Sequence, residues 1–453
     1  MASLRITLLL LVILSALGAY LFFVDVPASQ QEAQIRRSQQ QLIPFDDRAI
    51  TQFTLTTPKE TLAFTQDHRG HWHITQPVRA RADSREVGKI LRALTIGKVE
   101  RTIQEDGKNP DHYGLNPPHL LIALTAGEQS EEIALGTRGP LSSTLYARKK
   151  SDGKIVLTTL EPMTFYRKSL YTFRQKDVLR FDRAQADQLR LQYQGEELML
   201  RRASGVHGLG YNWRLQRPIE GPADRTKVGL LLMALEGLTA KEFIDSEAEK
   251  HTLLQTFGVP AAIITIHAAR TNHVVTLFES DNRRKAYAMT SPKQPLYRIN
   301  PGFIKQVTTD LFDIRDKRLL GMEQENLAML TVHTAQEQYV LINQNNEWVL
   351  ERDPAQRLNQ DMVALFVSRL IDVPAEIQIA PQETNLARFG LDKPAATFTA
   401  VNHQGEEKGR LVLGKHEHGL VYAMGAGIPG VYQARSMILT QIPSLAQLLV
   451  SEE

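Results

Sequence analysis

The chain contains no cysteine. Disulfides, thiolate metal sites and a cysteine nucleophile are therefore excluded, as is a lipid-modified bacterial N-terminus, which needs a cysteine to acylate. The absence assigns no compartment, because an oxidising space permits disulfides without requiring them. Excess charge is also missing. Against 53 basic residues stand 50 acidic ones, a net +3, and the basic side chains are scattered, which argues against a nucleic-acid surface. There is no Walker A sequence, no GxGxxG opening a helix, no GxSxG and no HExxH. A Ser–His–Asp triad is not local in sequence and escapes such a search, but nothing points to one. Low-complexity tracts are lacking, and only three tryptophans occur in 453 residues.

What is present begins with a long apolar run. Ile6–Val24 is uncharged over 19 residues, about 28 Å as a helix, which matches the hydrocarbon thickness of a bilayer. It ends in bulky Leu21, Phe22 and Phe23. A cleaved signal peptide is shorter and ends in small residues, so a retained anchor is expected. Arg5 precedes the run, Asp25 follows it, and Arg36 and Arg37 lie further out. That bias predicts an inner-membrane, single-pass protein with its N-terminus cytoplasmic and its bulk periplasmic or otherwise extracytoplasmic. Residues 25–47 are rich in Gln and Ser and read as a stalk or linker.

At roughly 150 residues per domain, the remaining length suits three domains, and internal offsets say the same. Trp72, Trp213 and Trp348 each end a strand-like run. Eleven residues after each comes Asp83, Asp224 or Asn359; fifteen after it, Val87, Val228 or Val363; twenty-two after it, Leu94, Leu235 or Leu370. An aromatic–glycine turn follows, with Gly114, Gly258 and Gly390 placed 42, 45 and 42 residues past the tryptophans. A Tyr–Ala pair closes each copy at Tyr146, Tyr287 and Tyr422. The expected fold is α+β: an N-terminal transmembrane helix, then three tandem modules, each a mostly antiparallel sheet with one principal helix. The boundaries are residues 1–24 for the anchor, 25–47 for the stalk, and 48–182, 183–322 and 323–453 for the repeats.

The recurring residues have physical readings. Apolar and polar residues alternate in QFTLTT, QLRLQY and MLTVHT, the pattern of half-buried strands. Asp83, Asp224 and Asn359 suit helix N-caps, and Glu86 makes the first a capping-box candidate. Read as catalytic acids they fail at Asn359, which cannot be a base. The tryptophans read as core in preference to stacking platforms for a ligand. The glycines read as positive-φ turns after helix ends. Arg174–Lys176 and Arg315–Lys317 share an Arg-x-Lys spacing with a leucine three residues on, and belong to the connections between modules. Their cations suit an intramodular salt bridge or a helix C-terminal charge, with an acidic residue of a partner as the alternative. His68, His71 and His73 cluster, as do His416 and His418, but no carboxylate pattern accompanies them and the other copies lack them. No metal, cofactor or catalytic residue is expected.

These residues resemble a family known as domain of unknown function 4340. Its hallmarks are Trp-x-x-x-x-Pro followed by Ala-Asp, a Tyr/Phe-Gly-Leu-x-x-Pro turn, and a closing Leu-Arg-x-(Lys/Arg) segment. They occur here as Trp72, Pro77, Ala82, Asp83, Tyr113, Gly114, Leu115, Pro118, Arg174 and Lys176, and again as Trp213, Pro218, Ala223, Asp224, Arg315 and Lys317. The third copy departs from them, with Leu358–Asn359 for Ala-Asp and its proline displaced to Pro354. The resemblance implies a membrane-anchored bacterial protein that accompanies an ABC-type transport system of the gliding-motility auxiliary kind. The expected function is thus a non-enzymatic, extracytoplasmic accessory or scaffold protein, its partners the membrane and ABC-type transporter components. The alternatives are a binding protein for a saccharide, peptide or lipid in clefts between modules, and an envelope hydrolase.

Overall fold

The structure, a computed structural model, describes residues 40–43, 45–104, 108–203, 213–280, 282–380 and 385–450. Strands alternate buried and exposed residues as the sequence pattern requires, for example in Gln52–Thr56 and Thr61–Gln66. In the first module the strands are β1 Gln52–Thr56, β2 Thr61–Gln66, β3 Trp72–Gln76, β4 Ala80–Arg81, β5 Val99–Gln104, β6 Leu120–Ala126, β7 Gln129–Arg138, β8 Leu145–Lys149 and β9 Ile155–Thr158. In the second they are β10 Ala186–Tyr193, β11 Glu196–Arg202, β12 Trp213–Arg217, β13 Gly221–Pro222, β14 Glu242–Ile244, β15 Ala262–Ala268, β16 Thr271–Glu279, β17 Ala286–Met289 and β18 Leu296–Ile299. The third has β19 Leu327–Thr334, β20 Gln338–Gln344, β21 Glu347–Leu350, β22 Ile377–Ala380, β23 Ala396–Asn402, β24 Glu407–Glu417, β25 Leu420–Gly425 and β26 Ile428–Arg435.

The three sheets share one strand order: β4-β3-β2-β1-β6-β7-β8-β9-β5, then β13-β12-β11-β10-β15-β16-β17-β18-β14, then β21-β20-β19-β23-β24-β25-β26-β22. Registered pairings such as β1 with β2 and β6 are antiparallel. The third sheet lacks only the two-residue counterpart of β4. By compactness the chain divides into two units. One comprises Met1–Val178, Thr239–Thr252 and Pro295–Arg298; the other comprises Leu179–Leu238, Leu253–Gln294 and Ile299–Glu453.

Each sheet carries a helix after its third or fourth strand. Asp83 caps Ser84–Ile96 by accepting from the amides of Arg85 and Glu86, Asp224 caps Arg225–Glu236 through Thr226 and Lys227, and Asn359 caps Gln360–Ile371 through Met362. Val87, Ile90, Leu91 and Leu94 are buried on the first helix, and Val363, Phe366, Val367 and Leu370 on the third. Each such side chain contributes about 2 kcal/mol by leaving water. The tryptophans sit in the cores at 5–8% exposure.

The expected architecture needs correction. No described helix is long and apolar enough to cross a membrane. Ser84–Ile96 has 13 residues and carries Arg85, Glu86, Lys89 and Arg92; it reaches about 20 Å, well short of a bilayer's hydrocarbon. The N-terminal transmembrane helix expected over Ile6–Val24, and the stalk as far as residue 39, lie outside the described residues. The fold described is three antiparallel sheets with several helices. One principal helix per module also fails in the second copy, where Glu247–Phe257 forms another helix of 11 residues. The capping box does not form either: Glu86 turns to Lys89 and Lys168. Leu42 and Ile43, in the segment whose composition reads as linker, are buried in the first core.

The extra helix explains the uneven glycine spacing. In copies one and three the aromatic–glycine turn ends a single 3-10 turn, with Gly114 at φ 64° and Gly390 at φ 67°. Gly258, at φ 67°, follows the longer helix. The turn aromatic and the Tyr–Ala tyrosine form one contact throughout: Tyr113–Tyr146, Phe257–Tyr287 and Phe389–Tyr422 lie 4.9, 5.1 and 5.0 Å apart by ring centroid. A Cβ on Gly414 would lie 2.3 Å from the Phe389 carbonyl oxygen, whereas one on helical Gly229 meets nothing within 4 Å. Accordingly, Gly414→Ala is expected to lower unfolding free energy by about 2 kcal/mol, and Gly229→Ala to raise it by about 1 kcal/mol. Urea titration of the two variants checks both signs.

Candidate functional site at the module junctions

The Arg-x-Lys segments sit where a module closes on itself. A short helix, Leu170–Phe173, brings the chain back past the N-cap of Ser84–Ile96. The Asp83 amide donates to the Phe173 carbonyl at 2.7 Å, the Gln175 amide donates to the Arg81 carbonyl at 3.0 Å, and Ala82 pairs with Arg174 in an antiparallel bridge. The second copy repeats this with Asp224 to Ile314 at 2.8 Å, Asp316 to Pro222 at 3.0 Å and Ala223 bridged to Arg315. In the third, Asn359 donates to Leu448 at 2.8 Å, Val450 donates to Arg357 at 3.0 Å, and Leu358 bridges to Leu449. The Ala-Asp and Arg-x-Lys hallmarks are thus two halves of one backbone contact. It satisfies the N–H of the cap residue itself, and the cap side chain satisfies those of the first turn.

The third copy departs for a local reason. The Ala82 and Ala223 amides donate to the carbonyls of Trp72 and Trp213 at 2.9 Å. At Trp348 the Gln360 carboxamide does this work, accepting from the Trp348 amide and donating to its carbonyl, both at 2.8 Å.

Beyond the closing contact, the chain bonds to the segment after the next helix. The Ala240 amide donates to the Lys176 carbonyl and the Ala375 amide to the Lys317 carbonyl, each at 2.8 Å. Side chains finish the first junction. Arg174, 4% exposed, donates both terminal nitrogens to Asp245, at 2.6 and 2.8 Å, and lies 3.9 Å from the Phe243 ring centroid. Lys176 donates to the carbonyls of Thr172 and Arg174 and lies over the Tyr171 ring at 4.9 Å. Tyr171, Arg174, Phe243, Asp245 and Arg298 line an open groove of about 360 Å³.

At the second junction Lys317 donates to Asp313 at 2.9 Å and lies over the Phe312 ring at 4.1 Å. Arg315 is 9% exposed, and burial pushes its pKa down. The matching amides of Lys241 and Glu376 donate to the Arg298 and Gln433 carbonyls, and Gln378 pairs with Tyr432 as Phe243 pairs with Tyr297; a bulge between Gln378 and Ala380 then sets Ala380, opposite Val431, in the place of Ile244.

The remaining sequence candidates are placed as follows. Trp72, Trp213 and Trp348 are core; Asp83, Asp224 and Asn359 are caps; Gly114, Gly258 and Gly390 are left-handed turns. His71 and His73 flank Asp67, whose carboxylate meets His73 Nε2 at 3.0 Å and His71 Nδ1 at 3.6 Å. The hydrogen bond with His73 holds the Asp67 carboxyl well below the usual range. No group of three His, Cys, Asp or Glu among the described residues is arranged to hold a metal ion. His418 sits at φ 52° in the turn after β24.

Against this geometry, the profile described as Domain of unknown function (DUF4340) matches residues 72–207, 213–360 and 348–448. The chain belongs to the DUF4340 family. Each matched stretch begins at a tryptophan strand, and the first two run on through the opening strands of the next sheet. No curated protein and no solved structure matches the chain.

Sequence reasoning missed Phe243 and Asp245. Neither recurs in the other copies, so an argument from repeats passes over them. The visible signal was the buried arginine, which demands an anion.

Two tests follow. Asp245→Ala strips Arg174 of its carboxylate and is expected to cost about 2 kcal/mol of stability, read as a lower urea midpoint with unchanged slope. Glu86 is held below the ordinary glutamate range by Lys89 and then Lys168. Its lowered folded pKa contributes stability at neutral pH that is lost as pH falls through that lowered value. Lys168→Met is therefore expected to flatten the acid limb of the stability–pH curve; an unchanged limb contradicts the pairing.

Proposed function

We propose that this DUF4340 chain is a non-enzymatic accessory or scaffold protein, working on the extracytoplasmic side of a bacterial envelope beside an ABC-type transport complex. The observation that carries the reading is how the repeated polar residues are used. Asp83, Asp224 and Asn359 cap helices, and Arg174, Lys176 and Lys317 bond within the chain. What recurs is architecture: one strand order three times over, closed by the same backbone contact. Such repetition suits presentation of surfaces, and local confinement next to a membrane complex raises the effective concentration of weak binding faces.

Ligand binding is the second reading, favoured by the groove at Phe243 and Asp245, whose residues are not repeated in the other copies. Against it, Arg174 in that groove already holds an internal carboxylate, as Arg298 holds Glu242.

Crosslinking in intact cells, followed by identification of the captured proteins, tests the proposal. Recovery of ABC-type membrane components is expected, as is degradation of the chain by protease added to spheroplasts. Capture of soluble cytoplasmic proteins alone, with protection from protease, contradicts it.

A further inference from the structure

The first sheet gathers three exposed apolar side chains at one end. Arg138 of β7 pairs with Leu145 of β8, Leu145 with Thr158 of β9, and Thr158 with Val99 of β5. That row marks a single end of the sheet, because antiparallel neighbours put the start of one strand beside the finish of the next. The segments leaving it carry Ile96 at 69% exposure, Leu141 at 58% and Met163 at 52%. Contacts join them. The Lys98 amide donates to the Thr159 hydroxyl at 3.0 Å, Ser84–Ile96 packs on the short helix Pro162–Phe165, and the Arg138 guanidinium lies 3.8 Å from the Met163 sulfur. Residues 92–98, 138–144 and 159–163 hold three exposed cations, Arg92, Lys98 and Arg138, against one acid, Glu161, whose carboxylate accepts from the Met163 amide. Met437, exposed after β26, is the third module's counterpart of Met163. Ile96, however, is matched thirteen residues after the helix cap by Gly237 and Asp372, and the connections matching that of Leu141, residues 280–285 and 418–419, hold no apolar side chain.

We infer that this end of the first module rests on an anionic phospholipid membrane. Apolar side chains with a basic rim suit that surface: Ile96, Leu141 and Met163 enter the acyl boundary while Arg92, Lys98 and Arg138 meet phosphates. The path of the chain favours lipid over a soluble protein. The chain enters the module here, with Gln41 bridged to Lys98 and the Leu42 amide donating to the Gly97 carbonyl at 3.2 Å, directly beside Ile96. Residues 25–39 separate this point from the uncharged, apolar stretch that ends at Val24, and at full extension they reach about 50 Å. Apolar chain is thus held close to the end that carries the patch. The inference rests on the extracytoplasmic accessory reading for the presence of a membrane and adds which face meets it.

Because the chain has no cysteine, one introduced thiol labels one site. Full-length Leu141→Cys, carrying a nitrobenzoxadiazole fluorophore, is mixed with vesicles of equal parts phosphatidylglycerol and phosphatidylethanolamine. The emission is expected to shift to the blue and rise about threefold or more as the label leaves water. Glu128→Cys, labelled in the turn between β6 and β7 at the opposite end of the sheet, should not respond, which separates this surface from attachment by any other part of the chain. Adding Lys98→Glu and Arg138→Glu to Leu141→Cys should return the emission to its value in buffer; both side chains are exposed, and an unchanged Tm confirms folding. Three results overturn the inference: no response at position 141, as for a face covered by a protein partner; an equal response at position 128; or an undiminished response in the charge-reversed protein. The two proposals fail separately. Response at position 141 without capture of transporter components sinks the accessory role alone, and capture without that response sinks this surface alone.

Discussion

The hydrogen bond from a helix-capping residue's own amide to the returning tail of its module is the contact on which the rest depends. It occurs three times, at Asp83, Asp224 and Asn359, over 2.7 to 2.8 Å. An N-cap side chain can serve the first-turn amides but not the amide of its own residue. The tail serves that amide through the carbonyls of Phe173, Ile314 and Leu448. From Arg174 and Arg315 the backbone runs on to bond Ala240 and Ala375 after the following helices. Leu42 plays the corresponding part for the first module, its amide donating to the Gly97 carbonyl. One short strand thus closes one module and opens another, which explains why the family marks sit at both ends of a module.

Backbone conserves this contact across the copies while side chains diverge around it. Arg174 is neutralised inside the chain and stacked on Phe243. Arg315 keeps the backbone role, but Gln378 stands where the first junction has Phe243. At the third closure Leu449 occupies the arginine's place. The series runs from an arginine paired with Asp245, through a second buried arginine, to a leucine. The fold tolerates all three because the hydrogen bonds that close the module come from main-chain atoms.

The repeat was legible because it is written in offsets: Trp to cap, cap to helix face, glycine to tyrosine. Those offsets are rigid, since a strand end, a helix of about 12 residues and a turn have set lengths. The capping roles of Asp83, Asp224 and Asn359 follow from residue type at such a position. Illegible were features with no repeat or with misleading composition. Gln41–Ile43 lies in a Gln- and Ser-rich stretch, and only contact with Lys98 and Gly97 makes it part of a module. Glu86 has capping-box spacing, but Lys168, 82 residues away, holds its carboxylate. Glu247–Phe257 buries only Lys250 among its residues, so no apolar stripe announces it. The ion pair of Arg174 with Asp245 spans 71 residues and appears once, beyond the reach of local pattern.

Native-state hydrogen exchange tests the closing contact most directly. The amides of Asp83, Asp224 and Asn359 should exchange as slowly as those in the central strands β1, β10 and β19, because they open only when their module unfolds. Exchange of the three at the rate of exposed turns, with the central strands still protected, would contradict the claim that this bond closes the modules.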